Sequence, residues 1–428
     1  MVSAAELQHL VKADFRKGIV SLFTGTGLAL LVNIAALPIL SRLYTPSEFG
    51  KFAFYLAVVH AVVVVVAGNF NYALLQPKKN RDALELALGG VVFSFCVSIF
   101  VAVAIYVERK RLSLFFDEPI YESLVWLIPV VGFALSVKQL FVVWETRKRR
   151  YRSVFAGKLF YSIFLNAARL PRHLYSSGSA GLWFTFLVSE LLSFLGGVIS
   201  VFKNDRTLLK SITFGGIKRN LLKYLNYPIL SMPLSLLNNL SSNLLIFVFA
   251  FNFSFGLVGL YDRFSRLIGL PMDMFSNFLG AFFYKLHRKN IAVRRLYVQI
   301  YALALLSGLL LYLPVIFYGP FIFKFVLGDG WVLGGVIARY LAPMVILSFA
   351  TKCMGLVFLQ DSKNRIMLIW QLAYLLLSIS WVLFFHDHGI LFIVKTYSVL
   401  TGFSQFLLAV YVFLSFKKER SDEYVDEE

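Results

Sequence analysis

The sequence is poor in cysteine, histidine and charged residues. It contains two cysteines and six histidines among 428 residues, and charged residues make up 15% of the chain. Cys96 and Cys353 both lie within apolar runs, which argues against a disulfide framework and against a thiolate metal site. The sequence also lacks a phosphate-binding glycine loop, metal-ligand spacing and an acidic pair suited to catalysis. We therefore expect no cofactor, no metal and no enzymatic activity.

Apolar residues are abundant instead. Hydrophobic residues make up 59% of the chain and the mean hydropathy is +0.74. A soluble domain is closer to half apolar and a quarter charged. Such a surplus of apolar side chains requires a solvent that accepts them on all sides of a helix, and the bilayer is that solvent. The composition therefore predicts an all-α integral membrane protein.

Twelve runs are long enough to cross a membrane, because a spanning helix needs about 20 mostly apolar residues. We predict spans at 18–40, 52–75, 84–107, 119–143, 153–170, 180–202, 226–250, 255–284, 296–318, 336–359, 364–385 and 390–415. The fifth run is the weakest, since it contains Lys158 and Asn166.

The distribution of basic residues fixes the expected orientation. With the N-terminus in the cytoplasm, inside segments carry 27 Lys and Arg residues and outside segments carry nine. This bias follows the positive-inside rule and accounts for most of the net charge of +19, so nucleic-acid binding is not expected. Both termini are predicted to be cytoplasmic.

The longest inside loop, 203–223, carries six basic residues and separates two groups of six predicted spans. Secondary transporters are often built from paired halves around a midplane site. We therefore predict an N-terminal six-helix bundle (1–202), a cytoplasmic basic linker (203–225), a C-terminal six-helix bundle (226–416) and a charged cytoplasmic tail (417–428).

The seventh span has one polar face. Six polar residues fall within an arc of roughly 140° when the helix is drawn at 100° per residue. They are Ser231, Ser235, Asn238, Asn239, Ser242 and Asn243. Leucines occupy the other side. A polar face of three turns is costly against lipid and exceeds what one helix contact needs. The pattern favours the wall of a water-filled cavity.

The eighth span carries charge beside a proline. Asp262, Arg266, Asp273 and Asn277 lie within about 60° of one another on a helix projection, and Arg263 is adjacent. Asp262 and Arg266 are spaced to form a pair. Pro271 removes a backbone donor and favours a kink. This pattern is typical of a transport site, although a structural ion pair near a helix end would give it too.

Two asparagines in the first two spans are further candidates. Asn33 lies on a face of the first span with Thr26, and Asn71 lies on a face of the second with His60. Lone polar residues in spans are often contacts between helices, so each of these also has a purely structural interpretation.

Several segments together resemble bacterial polysaccharide-unit flippases, the O-antigen type translocases of the multidrug/oligosaccharidyl-lipid/polysaccharide exporter superfamily. The segments are TGTGLA (24–29), ALPILSRLYTPSEFGKFA (36–53), YALLQP (72–77), WETRKRRY (144–151), YPILSMP (227–233), NNLSSN (238–243) and GLYDRFSRLIGLP (259–271). The resemblance covers most of residues 18–290 and weakens in the last four spans.

The resemblance implies two six-helix bundles around a central cavity in the bacterial inner membrane. It also implies a function: translocation of an undecaprenyl-diphosphate-linked oligosaccharide to the periplasmic leaflet by alternating access. Membrane lipids and other polysaccharide-assembly membrane proteins are then candidate partners.

Site roles follow from the chemistry of such a substrate. Diphosphate needs cationic donors, which Arg266 and Arg263 offer. Sugars need neutral hydrogen-bonding groups, which are expected from Ser235, Asn238, Asn239, Ser242, Asn33 and Asn71. Asp273 and Asp262 are the candidates for ion coupling.

Two other functions remain open from the sequence. One is a cation-coupled exporter of small molecules from the same superfamily. The other is a membrane glycosyltransferase, polymerase or ligase acting on the same lipid. That enzyme class usually needs a sizeable outward loop with catalytic groups, and no predicted outward loop is long enough.

The predicted topology is open to direct test. Reporter fusions at Asn80, Lys148, Lys210 and Lys289 should report the cytoplasm, and fusions at Ser47 and Asn252 should report the periplasm, because the basic loops are retained inside. A periplasmic report at Lys210 would contradict both the topology and the division into two groups of spans.

Overall fold

A computed structural model of the protein describes residues 26–115, 125–174, 178–269, 272, 293–353, 364–385 and 387–422. All regular secondary structure in these ranges is helical. The α-helices are α1 (Thr26–Leu43), α2 (Pro46–Ala67), α3 (Phe70–Ala73), α4 (Asn80–Phe115), α5 (Ile128–Arg147), α6 (Tyr151–Arg169), α7 (Gly178–Asn204), α8 (Arg206–Lys210), α9 (Phe214–Lys223), α10 (Met232–Ser242), α11 (Leu244–Asn252), α12 (Phe255–Phe264), α13 (Val293–Leu327), α14 (Val332–Tyr340), α15 (Ala342–Lys352), α16 (Asn364–Phe385) and α17 (Ile390–Asp422).

Each of the twelve predicted spans coincides with at least one of these helices. Six helices of the described chain are long and apolar enough to cross a membrane, and two bent pairs raise the number to eight. The bent pairs are Tyr227–Ser242 with Leu244–Asn252, at 51°, and Asp329–Tyr340 with Ala342–Lys352, at 61°. Apolar stretches of α1 and α16 are shorter. The prediction of an all-α membrane protein is confirmed.

Several helices begin or end at residues other than those predicted, because hydropathy reports apolar character and not backbone geometry. Several helices run past the apolar stretch; α4, for example, begins at Asn80 and ends at Phe115. The second span is interrupted after Ala67, because Gly68 and Asn69 adopt φ values of 52° and 55°. Glycine and asparagine are the residues that tolerate this left-handed conformation best. Asn71 therefore lies in α3, and it does not share a helix with His60 as we had expected.

The helices form two compact units. Of the described residues, those within 28–33 and 51–247 form unit N, and those at 26–27, at 34–50 and from 248 onward form unit C. The chain passes from unit N to unit C between residues 247 and 248. Within unit N, Asn69 donates to Ser235 over 2.6 Å, and the rings of Phe54 and Phe247 are 5.9 Å apart. These contacts hold the first part of the seventh predicted span to unit N. The four-part division by sequence stays a prediction.

Unit N is tied together at one end by an ionic network around Asp205. Asp205 accepts hydrogen bonds from Trp144 Nε1 at 2.9 Å and from both Nη atoms of Arg150 at 2.8 Å. Burial by itself would raise the pKa of Asp205, but the hydrogen bonds from Arg150 and Trp144 and the charges of Arg150 and Lys148 outweigh it, so the pKa is lowered. The network therefore joins the loop between α5 and α6 to the end of α7.

Unit C contains a glycine contact between α2 and α12. A Cβ atom on Gly50 would lie 1.6 Å from the carbonyl oxygen of Phe255, and one on Gly259 would lie 1.8 Å from that of Pro46. No side chain fits at either position, so the two helix backbones touch. A second contact of this kind joins α13 and α14, where a Cβ on Gly335 would lie 2.4 Å from the oxygen of Gly319. Small residues at helix crossings are typical of membrane proteins.

The close crossing predicts a specific sensitivity to one methyl group. Gly259→Ala should lower the thermal stability of the protein in lipid nanodiscs by about 1–3 kcal/mol, since overpacking forces the two backbones apart. Gly256→Ala is the matched control in α12, because its Cβ would meet only Ser254 Oγ, at 3.6 Å. Equal unfolding temperatures for the two variants would contradict the crossing.

Candidate functional site

Two helices carry a turn of π-helix just before a proline. In the seventh predicted span the π-turn covers Tyr227–Ser231, and in the eighth it covers Ser265–Gly269. Each ends two residues before a proline, Pro233 or Pro271. A proline lacks the backbone donor and crowds the carbonyl four residues earlier, which here falls inside the π-turn. Single π-turns are frequent at functional sites.

Beside the second π-turn lies an ionic cluster of Asp262, Arg263 and Arg266. The Asp262 carboxylate accepts hydrogen bonds from Arg263 at 2.8 and 3.2 Å. It also accepts from Arg266 Nε, at 2.9 and 3.0 Å from its two oxygens. The pair of Asp262 and Arg266 that the spacing predicted is therefore present. Two arginines and one aspartate leave the cluster with one net positive charge.

The two arginines of the cluster are in different environments. The Arg263 side chain is 2% exposed and its guanidinium lies 3.7 Å from the centroid of the Phe49 ring. Planar guanidinium groups stack well on aromatic faces. The Arg266 side chain, by contrast, is 33% exposed. Arg263 is thus held within unit C, and Arg266 is the arginine of the pair that reaches the surface.

The segment that supplies Phe49 is ordered by its own sequence. Thr45 and Glu48 form a capping box, with the backbone N–H of Thr45 donating to Glu48 Oε2 over 2.8 Å and that of Glu48 donating to Thr45 Oγ1 over 3.3 Å. Trp331 packs against Phe49 and donates its ring N–H to the carbonyl of Ser41 over 2.8 Å. Together with the Gly50 crossing, these contacts place Phe49 against Arg263.

The polar face of the seventh span is partly exposed. Asn238 and Ser242 are exposed on α10, while Ser235 bonds to Asn69. The side chain of Asn243 donates to the carbonyl of Asn239 over 2.9 Å, next to the 51° bend. An exposed amide and hydroxyl within a spanning segment are costly against lipid. Their exposure favours contact with water or with a polar ligand.

Asn33 and Asn71 occupy different settings within unit N. Asn33 Oδ1 accepts a hydrogen bond from Asn166 Nδ2 over 2.7 Å and lies 2.9 Å from the Ser162 hydroxyl. Asn33 thus links α1 to α6. The Oδ1 atom of Asn71 is buried and has no hydrogen-bond partner among the described residues. An unmet buried acceptor is uncommon and makes Asn71 the better candidate of the two for contact with a ligand.

Sequence reasoning missed a polar stripe on α6. Lys158, Ser162 and Asn166 follow one another at four-residue spacing, which places them on one helix face. Close to this stripe Lys138 forms an ion pair with Glu190, and its ammonium group lies 4.7 Å from the centroid of the Tyr161 ring. The spacing on α6 was the available signal. Lys138 and Glu190 lie on different helices, so no local pattern joins them.

Two residues of the predicted stripe in the eighth span, Asp273 and Asn277, lie outside the described residues. The role of Asp273 in ion coupling, and that of every other proposed contact residue, stays a prediction.

Comparison with known families gives a sequence match. A family model described as polysaccharide biosynthesis protein matches residues 39–334, which is more than half of the chain. The matched region includes the Phe49 segment, both π-turns and the ionic cluster. No curated protein matches the chain in a sequence comparison.

Solved structures show a shared fold at low sequence identity. A multidrug resistance MATE family transporter of the MOP superfamily, in an inward-facing conformation, has a TM-score of 0.69 at 14% identity. The alignment covers 92% of this chain and 95% of the transporter. MATE in the bent conformation has a TM-score of 0.58 at 14% identity, and the alignment covers 95% of this chain and 97% of that structure. MATE in the straight conformation has a TM-score of 0.56 at 14% identity, with 94% of each chain covered.

The exposed face of α10 can be tested by thiol labelling. In a background of Cys96→Ser and Cys353→Ser, Asn238→Cys and Ser242→Cys should react roughly tenfold faster with a water-soluble thiol reagent than Leu237→Cys and Leu240→Cys. The reason is that only the thiolate reacts, and it forms where water reaches it. Similar labelling rates on both faces would rule out a water-filled cavity at this helix.

Proposed function

Since the chain belongs to the polysaccharide biosynthesis protein family, we propose that it is a flippase for a lipid-linked glycan. The substrate proposed is an undecaprenyl-diphosphate-linked oligosaccharide, such as an O-antigen repeat unit, carried from the cytoplasmic to the periplasmic leaflet of the bacterial inner membrane. The observation that carries the proposal is the ionic cluster with one partly exposed arginine, set within a chain that has a transporter fold.

The ionic cluster suits a diphosphate headgroup. A diphosphate that enters a poorly hydrated site must meet a cation, because an uncompensated buried anion is costly. Arg266 offers a planar set of donors that can bind two phosphate oxygens at once. Its guanidinium is held by Asp262, so the donor is oriented before the headgroup arrives. Arg263 lies against Phe49 and donates both of its hydrogen bonds to Asp262 Oδ2.

The same geometry gives Asp262 a role in coupling. Its carboxylate is shared by two guanidinium groups, and a proton or sodium ion that binds to Asp262 would compete with them. Arg266 would then be released to pair with the diphosphate. Asp273 remains the second candidate for the coupling ion. In this proposal cation entry and headgroup binding are linked through one carboxylate.

The sugars of the substrate need neutral partners. Asn238 and Ser242 present an amide and a hydroxyl on the exposed face of α10, and Asn239 and Ser235 lie beside them. Such groups both donate and accept hydrogen bonds, as sugar hydroxyls do. No bond of the glycan has to be made or broken, so the substrate should leave the protein chemically unchanged.

A cation-coupled exporter of small molecules is the second candidate function. It is favoured by one observation: a structural neighbour is described as a multidrug resistance transporter. The two functions differ in the charge of the ligand that would meet Arg266. A diphosphate requires this cation, whereas export of an organic cation would be hindered by a positive charge in the site.

The Arg266 assignment is tested by a graded series of substitutions. In proteoliposomes with a defined undecaprenyl-diphosphate-linked glycan, Arg266→Lys should flip more slowly than the wild type. Arg266→Ala should lose about tenfold or more in rate. Lysine keeps the charge but loses the planar donor set, and a charge-assisted hydrogen bond contributes roughly 1.5–3 kcal/mol. The measurement is the accessibility of the glycan in the outer leaflet over time.

Arg339→Ala serves as the matched control. Arg339 is also in unit C, and its guanidinium donates to the backbone carbonyl of Phe317 over 3.0 Å at an exposed position. It should leave the rate unchanged at equal protein level. Normal flipping by a folded Arg266→Ala protein would remove Arg266 from the proposed headgroup site. Faster export of an organic cation by the same variant would favour the second function.

A further inference from the structure

The basic linker contains an amphipathic helix, α9, that is held against α4 within unit N by one buried carboxylate. Glu85, on α4, is fully buried and accepts a hydrogen bond from Asn220 Nδ2 of α9 over 2.9 Å and one from Arg81 Nε over 3.1 Å. The backbone N–H of Thr213, the N-cap of α9, points to the same carboxylate over 3.4 Å. A negative charge at this end of a helix is stabilised by the unpaired N–H groups of its first turn.

Glycine allows this close approach. A Cβ atom on Gly216 would lie 2.2 Å from Glu85 Oε1, so any larger residue would displace the carboxylate. The inner face of α9 also packs Leu221 against Gly89 of α4. As a result one face of α9 is fixed against α4, and the opposite face points away from α4.

The opposite face combines large apolar side chains with cations. Phe214 is 83% exposed and Leu222 is 53% exposed, and they lie in one row with Lys218 at four-residue spacing. Arg219 and Lys223 are exposed beside this row. In a polar solvent two such apolar side chains would be an unfavourable feature on so short a helix.

The charge of the whole linker is strongly positive. All six basic residues between 203 and 223 are exposed. The acidic residue of this stretch, Asp205, is buried and already paired with Arg150. Arg219 approaches Asp82 at 3.8 Å, but both side chains are solvated and such a pair contributes little. Apart from Asp82, no carboxylate of the described residues pairs with Lys218, Arg219 or Lys223, so most of the positive charge on the exposed face is uncompensated.

We propose that α9 lies in the membrane interface and binds anionic phospholipid headgroups. Phe214 and Leu222 enter the boundary between headgroups and acyl chains, and Lys218, Arg219 and Lys223 pair with the phosphates. Helices with this combination of a cationic and an apolar edge lie in the plane of the membrane. Basic clusters next to a spanning helix attract anionic lipids, and here the cluster directly follows the apolar helix α7.

This assignment is independent of the transported substrate. It requires only that α7 crosses the membrane and that α9 keeps its orientation on Glu85. A soluble anion or an acidic protein would also be attracted by the cations, but neither would account for the exposed Phe214 and Leu222. The exposed Phe214 and Leu222 side chains therefore favour a lipid surface as the binding partner.

The test places an environment-sensitive fluorophore on the outward face. In the Cys96→Ser, Cys353→Ser background, Phe214→Cys is labelled with a nitrobenzoxadiazole probe, and Thr207→Cys, at an exposed polar position of α8, is the control site. The full-length protein is placed in nanodiscs of phosphatidylcholine with 0 or about 30% phosphatidylglycerol, together with a lipid carrying a shallow spin label. Quenching of the probe reports its contact with lipid.

At position 214 we expect quenching to rise about twofold with phosphatidylglycerol and to fall back in high salt, because headgroup pairing is screened. The combined variant Lys218→Gln, Arg219→Gln, Lys223→Gln should abolish the rise. The charge-matched variant Lys78→Gln, Lys79→Gln, Arg152→Gln should retain it. The probe at position 207 should remain in water throughout.

Two results would overturn the proposal. A probe at position 214 that stays in water in both lipids would show that α9 does not reach the membrane. Quenching that is the same in both lipids and in the Lys218 triple variant would show insertion without headgroup binding. Both variants should keep the unfolding temperature of the parent protein, since all six substituted side chains are exposed.

Discussion

Charges buried in the described part of this protein are subject to one constraint: neither hydrocarbon nor packed protein solvates an ion, so a partner must lie within hydrogen-bond distance. Asp262 meets this requirement with two guanidinium groups, Glu190 with Lys138, and Glu85 with Arg81. The Lys138–Glu190 pair joins α5 to α7, and Glu85 also holds α9 through Asn220, whereas the Asp262 cluster lies within one helical segment. Buried polar contacts of this kind therefore add specific connections between helices that apolar packing alone does not provide.

The ionic cluster shows how such a charge depends on the packing around it. Arg263 can remain buried because Phe49 lies beneath it, and Phe49 is placed there by the backbone contact of Gly50 with α12. A methyl group added at Gly50 would push α2 away from α12, and the Phe49 ring would move with the α2 backbone. Gly50 and Gly259 thus affect the electrostatics of the site, although they carry no charge themselves.

The fold was predictable from the sequence because hydropathy reports burial in lipid directly. Every predicted span coincides with a helix, and the pairing of Asp262 with Arg266 follows from helical spacing. Breaks in the helix backbone were harder to predict from the sequence. The left-handed pair Gly68 and Asn69 ends α2 inside an apolar run, and nothing in the mean hydropathy of that run marks the break.

The contacts between distant helices were not predictable from local pattern. Lys138 and Glu190 are 52 positions apart, and only the packing of α5 on α7 brings them together. The same holds for Phe49 and Arg263, whose contact depends on a helix crossing between distant parts of the chain. A sequence shows which residues are costly to leave unpaired, and the fold shows which partner each one has.

The π-turns have a consequence for how this chain tolerates changes in length. A π-turn holds one more residue than the α-turn it replaces. In an ordinary membrane helix, deletion of one residue rotates everything beyond it by about 100° and turns its buried face outward. Deletion within Tyr227–Ser231 would convert that turn to α-helix and leave the register of α10 in place. Tyr227–Ser231 is therefore a site where the chain could lose a residue during evolution without turning a helix face toward lipid.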